Sequence, residues 1–279
     1  MRNIRITDRD LFLFRYLFEQ DFISREFIKK FIWKDFEDSY VTNRLWRLNK
    51  QGYVKKHFDV STGSGTVIMA DKEAETLIKN RKVRERMLSL DINGVNFYND
   101  DSLLRHYEVR DSLNKGEFDH DMDVSEVRLR LEKVIDYWIS ERIIWKHNSN
   151  ASKENRFRRV SDGIIKTSMD STALTIGIEV EGHLKKDYRY RSIFEKYINE
   201  DRIDYVFYIT TDDNVYNKLN DKLLTSEFKK RNNSKLSYDF YKMFYTLTLD
   251  DLRKGRLIFW RDEDEEYINL NNSDYYGSH

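Results

Sequence analysis

Two neighbouring apolar segments between residues 161 and 181 carry three carboxylates, and this feature most constrains the fold. The first segment, "DGIIKTS", begins with Asp162, and the second, "TALTIGIEVEG", ends with Glu179 and Glu181. Apolar runs of this length predict strands inside a sheet. Because side chains two apart on a strand share a face, Glu179 and Glu181 are predicted to point the same way. A strand buried on both faces needs no carboxylates, so these acids either cap a sheet edge or hold a metal ion.

The residues around these two strands predict a domain in which helices pack on a sheet. The predicted order is helix 123–138, strand 139–145, strand 162–168, strand 173–181, helix 188–199 and strand 204–210. Asp123 and Glu126 have capping-box spacing and are assigned to the start of the first helix. The last segment, "DYVFYIT", is a continuous apolar run of the kind found in central strands. A central mixed sheet is therefore expected.

The amino-terminal residues predict three helices followed by a β-hairpin. Thr7 and Asp10 have the spacing of a capping box, and Ser24 is suited to cap the second helix. The third helix is predicted to begin near Ser39 and to stop at Gly52, because glycine commonly follows a helix end. "YVKKHFDV" and "TVIMA" then flank the glycine-bearing "STGSG", which predicts two strands joined by a loop.

One side of the third predicted helix is polar and basic, and the following hairpin adds two lysines. The residues assigned to DNA contact are Asn43, Arg44, Arg47, Lys50, Lys55 and Lys56. Residues 1–86 hold 19 basic and 13 acidic residues, although the whole chain has 49 of each, so positive charge is concentrated at this end. Double-stranded DNA is the partner that this charge favours. The alternative is a solvated basic face on a structural or protein-binding domain.

Composition excludes several classes of protein. The chain has no cysteine, which excludes disulfides, thiolate zinc sites and cysteine nucleophiles. No segment approaches the run of about 18 apolar residues that a membrane helix needs, so a cytoplasmic location and no membrane partner are expected. The motifs GxxxxGK[ST], GxSxG and HExxH are also missing, which argues against nucleotide-phosphate, serine-hydrolase and zinc-protease chemistry.

The order of three helices and a hairpin resembles the winged helix-turn-helix domain over residues 5–80. In that family the third helix enters the major groove and the hairpin contacts the DNA backbone, so the basic residues named above inherit those roles. The predicted fold class is α+β, with three parts. They are a winged-helix DNA-binding domain at 1–81, a helical linker at 82–118 with helices expected at 74–88 and 102–113, and an α/β restriction-endonuclease-like domain at 119–279.

The second domain resembles the PD-(D/E)xK nuclease superfamily in its element order and in its acids. The resemblance implies that Asp162 and Glu179 bind a divalent metal, Mg²⁺ or Mn²⁺, as hard oxygen ligands suited to such an ion. Glu181 stands where the family usually has the catalytic lysine, and Lys185 or Lys166 is the expected substitute. The alternative is that Glu179 and Glu181 line the wet end of a strand and pair with nearby basic residues, namely Lys185, Lys186 or Arg189.

The combination of the two domains is similar to the replication-relaxation proteins of plasmids and mobile elements. The segments that carry this resemblance are "SDG", "IEVEG", "RYRSIFEKY" and "HDMDVSEVRLRLE". The resemblance implies a DNA-binding protein of replication, relaxation or transfer with metal-dependent endonuclease or nickase activity. Expected partners are double-stranded DNA and other replication, transfer or transposition proteins, with a homodimer left open. The alternative is a non-catalytic DNA-binding regulator or accessory factor with a degenerate nuclease fold.

Overall fold

The computed structural model describes residues 4–59, 65–90, 108–109, 115–132, 134–169, 172–224, 243–261, 266–270 and 274–276. These residues form a mixed α+β protein. The chain divides into two compact units, Met1–Met122 (unit 1) and Asp123–His279 (unit 2). No helix in the described ranges is long and apolar enough to cross a membrane.

Unit 1 consists of helices around a small antiparallel sheet. Its elements are α1 (Asp8–Gln20), β1 (Phe22–Ser24), α2 (Arg25–Phe27) continuing as a π-helical turn (Ile28–Ile32), α3 (Asp38–Lys50), β2 (Val54–Asp59), β3 (Gly65–Ala70), α4 (Lys72–Lys79) and α5 (Arg81–Leu88). The sheet order among these strands is β1-β3-β2. The helix expected at 74–88 is thus two helices, because Asn80 leaves the helical conformation and caps α5. Nearly all of the helix predicted at 102–113 falls outside the described residues.

The ends of the unit 1 helices follow the sequence predictions. The Thr7 and Asp10 pair forms a complete capping box on α1, and the Ser24 hydroxyl accepts the Phe27 N–H at 3.0 Å. Gly52 adopts a φ of 73°, which only glycine takes without cost. With this turn, the Tyr53 N–H reaches Leu48 O and the Gly52 N–H reaches Asn49 O, both at 3.0 Å. These two bonds form a Schellman motif that ends α3.

Unit 2 is built on a large mixed sheet. Its elements are the last turns of α6 (Lys115–Leu131), then β4 (Tyr137–Ser140), α7 (Glu141–Asn150), a 3-10 turn (Lys153–Asn155), β5 (Gly163–Met169), β6 (Thr172–Glu181), α8 (Asp187–Ile198), β7 (Tyr205–Thr210), α9 (Asp213–Leu224), β8 (Phe244–Thr248), α10 (Leu249–Arg253), β9 (Ile258–Arg261), β10 (Glu266–Asn269) and β11 (Asp274–Tyr276). Its described strands form one sheet in the order β11-β10-β9-β8-β7-β6-β5-β4. β6, β7 and β8 run parallel, whereas β4, β5 and β6 pair antiparallel.

The two faces of this sheet carry different residues because side chains alternate along each strand. On β6, Ile176, Ile178 and Val180 belong to an apolar core that also includes Val127 and Leu131 of α6. The alternate positions on β6 are Gly177, Glu179 and Glu181. On that second face α8 buries an aromatic stripe, in which Phe194 packs against Tyr208 of β7 and Phe244 of β8.

Two elements differ from the sequence prediction in where they begin and end. The helix predicted to start at Asp123 begins at Lys115 and ends at Leu131, so Glu126 lies inside it and does not cap it. The strand predicted over 139–145 ends at Ser140, and residues from Glu141 form a helix. Short apolar runs fit either period, and the buried Ile143 and Ile144 pack from a helix instead of a strand. The strands predicted at 162–168, 173–181 and 204–210 and the helix at 188–199 are confirmed to within a residue.

Candidate functional site

The register of β5 and β6 determines where the acids lie. Gly163 pairs with Ile178, so Asp162 comes directly before the first paired residue of β5 and stands beside Glu179. Glu179 and Glu181 are both buried on the face of β6 that α8 covers. In the parallel ladder with β7 they lie beside Tyr208 and Thr210. The three acids therefore lie at the same end of β5 and β6, as the sequence predicts.

Glu179 is held by an arginine and a tyrosine. Arg159 donates Nε to Oε1 at 2.8 Å and Nη2 to Oε2 at 2.7 Å, which is a bidentate ion pair. The Tyr197 hydroxyl of α8 also donates to Oε1. Burial raises the pKa of Glu179, whereas the charge and hydrogen bonds of Arg159 oppose that shift. Burial and the nearby Glu179 charge raise the pKa of Tyr197 well above its usual value, so this hydroxyl stays protonated and donates.

The other two acids have different partners. Asp162 Oδ2 accepts the backbone N–H of Val180 at 2.7 Å, which closes the end of the β5–β6 ladder. Glu181 Oε2 forms an ion pair with Lys185 Nζ in the turn before α8. The Lys185 backbone N–H donates to the Tyr190 hydroxyl at 3.2 Å, so α8 fixes this turn. Each predicted acid therefore has a defined contact within the protein.

Two buried hydroxyls on β7 lie beside these acids. The Tyr208 and Thr210 side chains are fully buried, and within the described part of the chain neither hydroxyl has a hydrogen-bond partner. Buried polar atoms are normally satisfied by protein or ordered water. In the β6–β7 ladder, Tyr208 pairs with Glu179 and Thr210 pairs with Glu181. We call the three acids Asp162, Glu179 and Glu181, together with the neighbouring Tyr208 and Thr210, the acidic cluster.

Among the described residues, no three His, Cys, Asp or Glu side chains form a group that could hold a metal ion. The Arg159 guanidinium occupies both carboxylate oxygens of Glu179. Lys185, one of the two expected substitutes for the missing catalytic lysine, contacts Glu181, whereas Lys166 is exposed on β5.

The predicted DNA-contact residues divide into two groups. Asn43, Arg47 and Lys50 are exposed on α3, on the side opposite the buried Val41 and Leu45. Trp46 lies among them with 51% of its surface exposed, and Lys50 Nζ is 6.0 Å from the centre of its indole. The ring and the two cations therefore lie together on the exposed side of α3. We call Asn43, Trp46, Arg47 and Lys50 the α3 basic face.

Of the remaining predicted contacts, two have partners inside unit 1 and the third is partly buried. Arg44 donates Nε to Asp10 Oδ1 at 2.9 Å and Nη2 to the Arg5 carbonyl at 2.8 Å, so its charge is used to hold α1. Lys55 Nζ is 3.7 Å from Asp71 Oδ1. Burial lowers the pKa of Lys56, and the charge of Arg25 acts in the same direction. These three cations are therefore less available to a ligand than Arg47 and Lys50.

No family model matches this chain, and neither a curated protein nor a solved structure matches it. What the chain does must therefore be argued from its own residues.

Sequence reasoning missed three residues that shape these sites. Arg159 lies in "NRFRR", a polar stretch without periodicity, and nothing local indicates its partner twenty positions later. Tyr197 lies on the buried side of α8, and helical spacing gives no sign that its hydroxyl bonds Glu179. Trp46 was not predicted to belong to the basic side of the third helix. Its helical spacing from Asn43 and Lys50 is a signal that could have identified it.

Proposed function

We propose that this chain is a DNA-binding protein of a plasmid or mobile element, in which unit 1 binds duplex DNA. The observation that carries the proposal is the α3 basic face, which presents Arg47 and Lys50 to solvent with no ion pair to any described acid. Cations without an internal partner are available to replace the counterions of the phosphate backbone. The position of α3 between a helical segment and the β2–β3 hairpin supports the resemblance to a winged helix.

Salt-dependent binding tests this proposal. The affinity of the full chain for a labelled duplex should fall steeply as salt rises, and the logarithmic slope should shrink by about 0.9 for each phosphate contact removed. R47Q/K50Q should therefore show a shallower slope and weaker binding in fluorescence anisotropy. R81Q/K82Q removes the same charge from α5 and is the matched control. Equal slopes for both variants would favour the protein-binding alternative.

For unit 2 we propose metal-dependent hydrolysis of DNA phosphodiesters. The arrangement that supports it is a β4–β5–β6 meander followed by α8 and a parallel β7, with Asp162 and Glu179 beside each other at the strand ends. Carboxylates beside unsatisfied buried hydroxyls are the oxygen-rich surroundings that Mg²⁺ or Mn²⁺ prefers. Asp162 and Glu179 would hold the ion, which when bound supplies charge stabilisation and an activated water. Lys185 would hold Glu181, and the Tyr197 hydroxyl would keep Glu179 oriented.

Arg159 is the observation that favours a second function. Its guanidinium already neutralises Glu179, so an incoming cation would have to displace it. If this ion pair is permanent, unit 2 is a non-catalytic nuclease-like fold and the chain is a DNA-binding accessory factor. Arg159 and Lys185 would then serve the fold by compensating buried carboxylates.

A nicking assay separates the two functions of unit 2. Parent and D162N are incubated with supercoiled plasmid and Mg²⁺ or Mn²⁺. The amide oxygen of the substituted side chain can still accept the Val180 N–H, so D162N should fold, and its thermal melt should confirm this. Metal-dependent nicking by the parent that D162N lacks supports the nuclease. Absence of nicking by a folded parent assigns the accessory function, and equal nicking by both proteins excludes Asp162 from the chemistry.

A further inference from the structure

Unit 2 has a hollow on the outer side of α8, opposite the face that covers the acidic cluster. Its volume is about 670 Å³. Its walls are the segment from the 3-10 turn to Arg158 and the exposed side of α8. The charged lining residues are Lys153, Glu154, Arg156, Arg158, Glu195 and Lys196.

The hollow carries an excess of positive charge. Four of its lining residues are basic and two are acidic. All four cations belong to residues that are exposed. No acid in the described ranges lies within ion-pairing distance of Lys153, Arg158 or Lys196. Their charges are therefore available to an anion from outside.

Three of these cations lie between Lys153 and Arg158. The backbone of this segment is held by hydrogen bonds to the side chains of Arg202 and Glu200. Arg202 donates Nη1 to the carbonyl of Asn155 at 2.8 Å and Nη2 to that of Arg156 at 2.7 Å. Glu200 accepts from Arg202 and also takes the Arg158 backbone N–H at 2.8 Å. Glu200 is buried, and its own charge is compensated by Arg202. The network therefore holds the backbone in place without using the outward cations.

Phe157 is the second anchor of this segment. The Asn148 side chain bonds its backbone in both directions, accepting its N–H at 2.8 Å and donating to its carbonyl at 3.1 Å. The Arg202 guanidinium lies 3.9 Å from the centre of the Phe157 ring. A segment held in this way loses little entropy when a ligand binds, which favours binding.

From these observations we infer that the hollow is a second nucleic-acid site, which binds the sugar-phosphate backbone. Sites for small molecules normally include buried polar groups that fix one orientation. Here every charged lining side chain is exposed, which suits contacts that position a backbone without reading bases. The inference deepens the proposed DNA binding and rests on it, but it concerns different residues in a different unit.

Binding of the full chain to a labelled duplex, measured against salt, tests the inference. K153Q/K196Q removes two charges from the hollow, whereas K186Q/K218Q removes two exposed lysines elsewhere in unit 2 that also have no ion pair to any described acid. The hollow variant should have a logarithmic salt slope smaller by about 0.9 for each lysine that contacts a phosphate. The control variant should keep the parent slope. Circular dichroism melts establish that both variants fold.

The outcomes separate this inference from the function proposed for unit 1. If R47Q/K50Q reduces the slope but K153Q/K196Q matches its control, the inference is overturned and the α3 basic face stands. If only K153Q/K196Q reduces the slope, the hollow stands and the unit 1 proposal fails. Inorganic phosphate at constant ionic strength is the second probe. If the hollow binds free phosphate, and K153Q/K196Q abolishes that binding without changing the DNA slope, the site takes the free anion and the nucleic-acid inference is overturned.

Discussion

At the scale of single residues, the Arg159 and Glu179 pair is the contact with the largest predicted effect. Removing one partner of a buried ion pair leaves an uncompensated charge and costs about 3 to 5 kcal/mol. Because a quarter of the Arg159 side chain is exposed, we expect R159M to lower the free energy of unfolding by about 3 kcal/mol at pH 7. R159M/E179M should recover most of that loss, since no carboxylate then remains uncompensated. Urea unfolding of the two variants and the parent measures both effects.

The neighbouring arginine provides the control for this pair. Arg158 is exposed, and its side chain has no described acid as a partner. The free energy of unfolding of R158M should therefore be close to that of the parent. If R159M is as stable as R158M, the ion pair does not hold the site together. If R159M/E179M is no better than R159M, the loss comes from packing of the arginine stem and not from the charge of Glu179.

The residue types of the acidic cluster could be predicted from sequence, but their partners could not. In any β-strand, period-two spacing places Glu179 and Glu181 on one face, so once the segment was predicted as a strand that prediction needed no tertiary information. The contact between Arg159 and Glu179 depends on how a polar stretch without periodicity folds back over the sheet. The inward turn of Arg44 likewise depends on Asp10, far away in sequence on α1. Helix spacing alone could not distinguish it from the exposed Arg47.

At the scale of elements, the packing of β4 against β5 depends on one glycine. A Cβ on Gly163 would lie 2.7 Å from Trp138 Cη2, and Trp138 is fully buried. Inserting atoms into a filled core typically costs about 1 to 3 kcal/mol. We expect G163A to lose stability in this range, measured by thermal and urea unfolding. G182A is the matched control, because its added Cβ would meet Thr211 Oγ1 at an ordinary 3.6 Å. Equal losses of stability in G163A and G182A would mean that the Trp138 side chain moves aside at little energetic cost.

The ion pair between α6 and α10 predicts a dependence of stability on pH. Arg253 donates Nε and Nη2 to the two carboxylate oxygens of Glu126 at 3.0 and 2.7 Å. Burial opposes ionisation of Glu126, but Arg253 and Arg130 outweigh it and lower its pKa. A lowered pKa in the folded state contributes stability above the unfolded value, about 4.3, and that contribution is lost as pH falls through the folded pKa.

E126Q tests this linkage. At pH 7 it should cost about 1 kcal/mol, the upper end for a partly exposed pair. The difference from the parent should begin to shrink near pH 4.5 and should vanish at lower pH, where Glu126 is protonated in both states. E195Q changes an exposed glutamate of α8 and is the control. A difference that stays constant from pH 7 to pH 3 would mean that Glu126 contributes through packing and not through its charge.

Secondary structure was predicted correctly where capping residues and periodicity agreed. The prediction was wrong where the capping spacing or the periodicity was misleading. The Thr7 capping box and Gly52 fixed the ends of α1 and α3 because their signals are local. Asp123 and Glu126 show the same spacing inside α6, where the backbone donors are already bonded, so the spacing had no capping role. The run after Ile139 fits both periods, and burial of Ile143 and Ile144 from a helix decided the outcome. Tertiary packing supplied what the local pattern lacked.

At the scale of the whole molecule, each unit has its own basic surface. Neither surface is evident from the net charge of the chain, which is zero. Equal numbers of acids and bases predict no nucleic-acid binding from net charge alone. Many of the acids, however, are committed inside the protein, as Asp10, Glu126, Glu179 and Glu200 illustrate. Cations such as Arg47 and Lys196 have no such partner among the described residues. Each of these ion pairs also uses one cation, so the pairs leave the net charge unchanged, and the two surfaces are basic because cations without a partner are clustered there.

The final prediction concerns whether both surfaces bind the same DNA. The free energies of distant, independent sites add, and each phosphate contact contributes its own increment to the salt slope. If the α3 basic face and the hollow contact one duplex, R47Q/K50Q/K153Q/K196Q should lose the sum of the two slope changes at a stoichiometry of one duplex per chain. Fluorescence anisotropy against salt gives the slope, and titration at concentrations far above the dissociation constant gives the stoichiometry. Two duplexes per parent chain, reduced to one by either double variant, would show instead that each unit binds DNA separately.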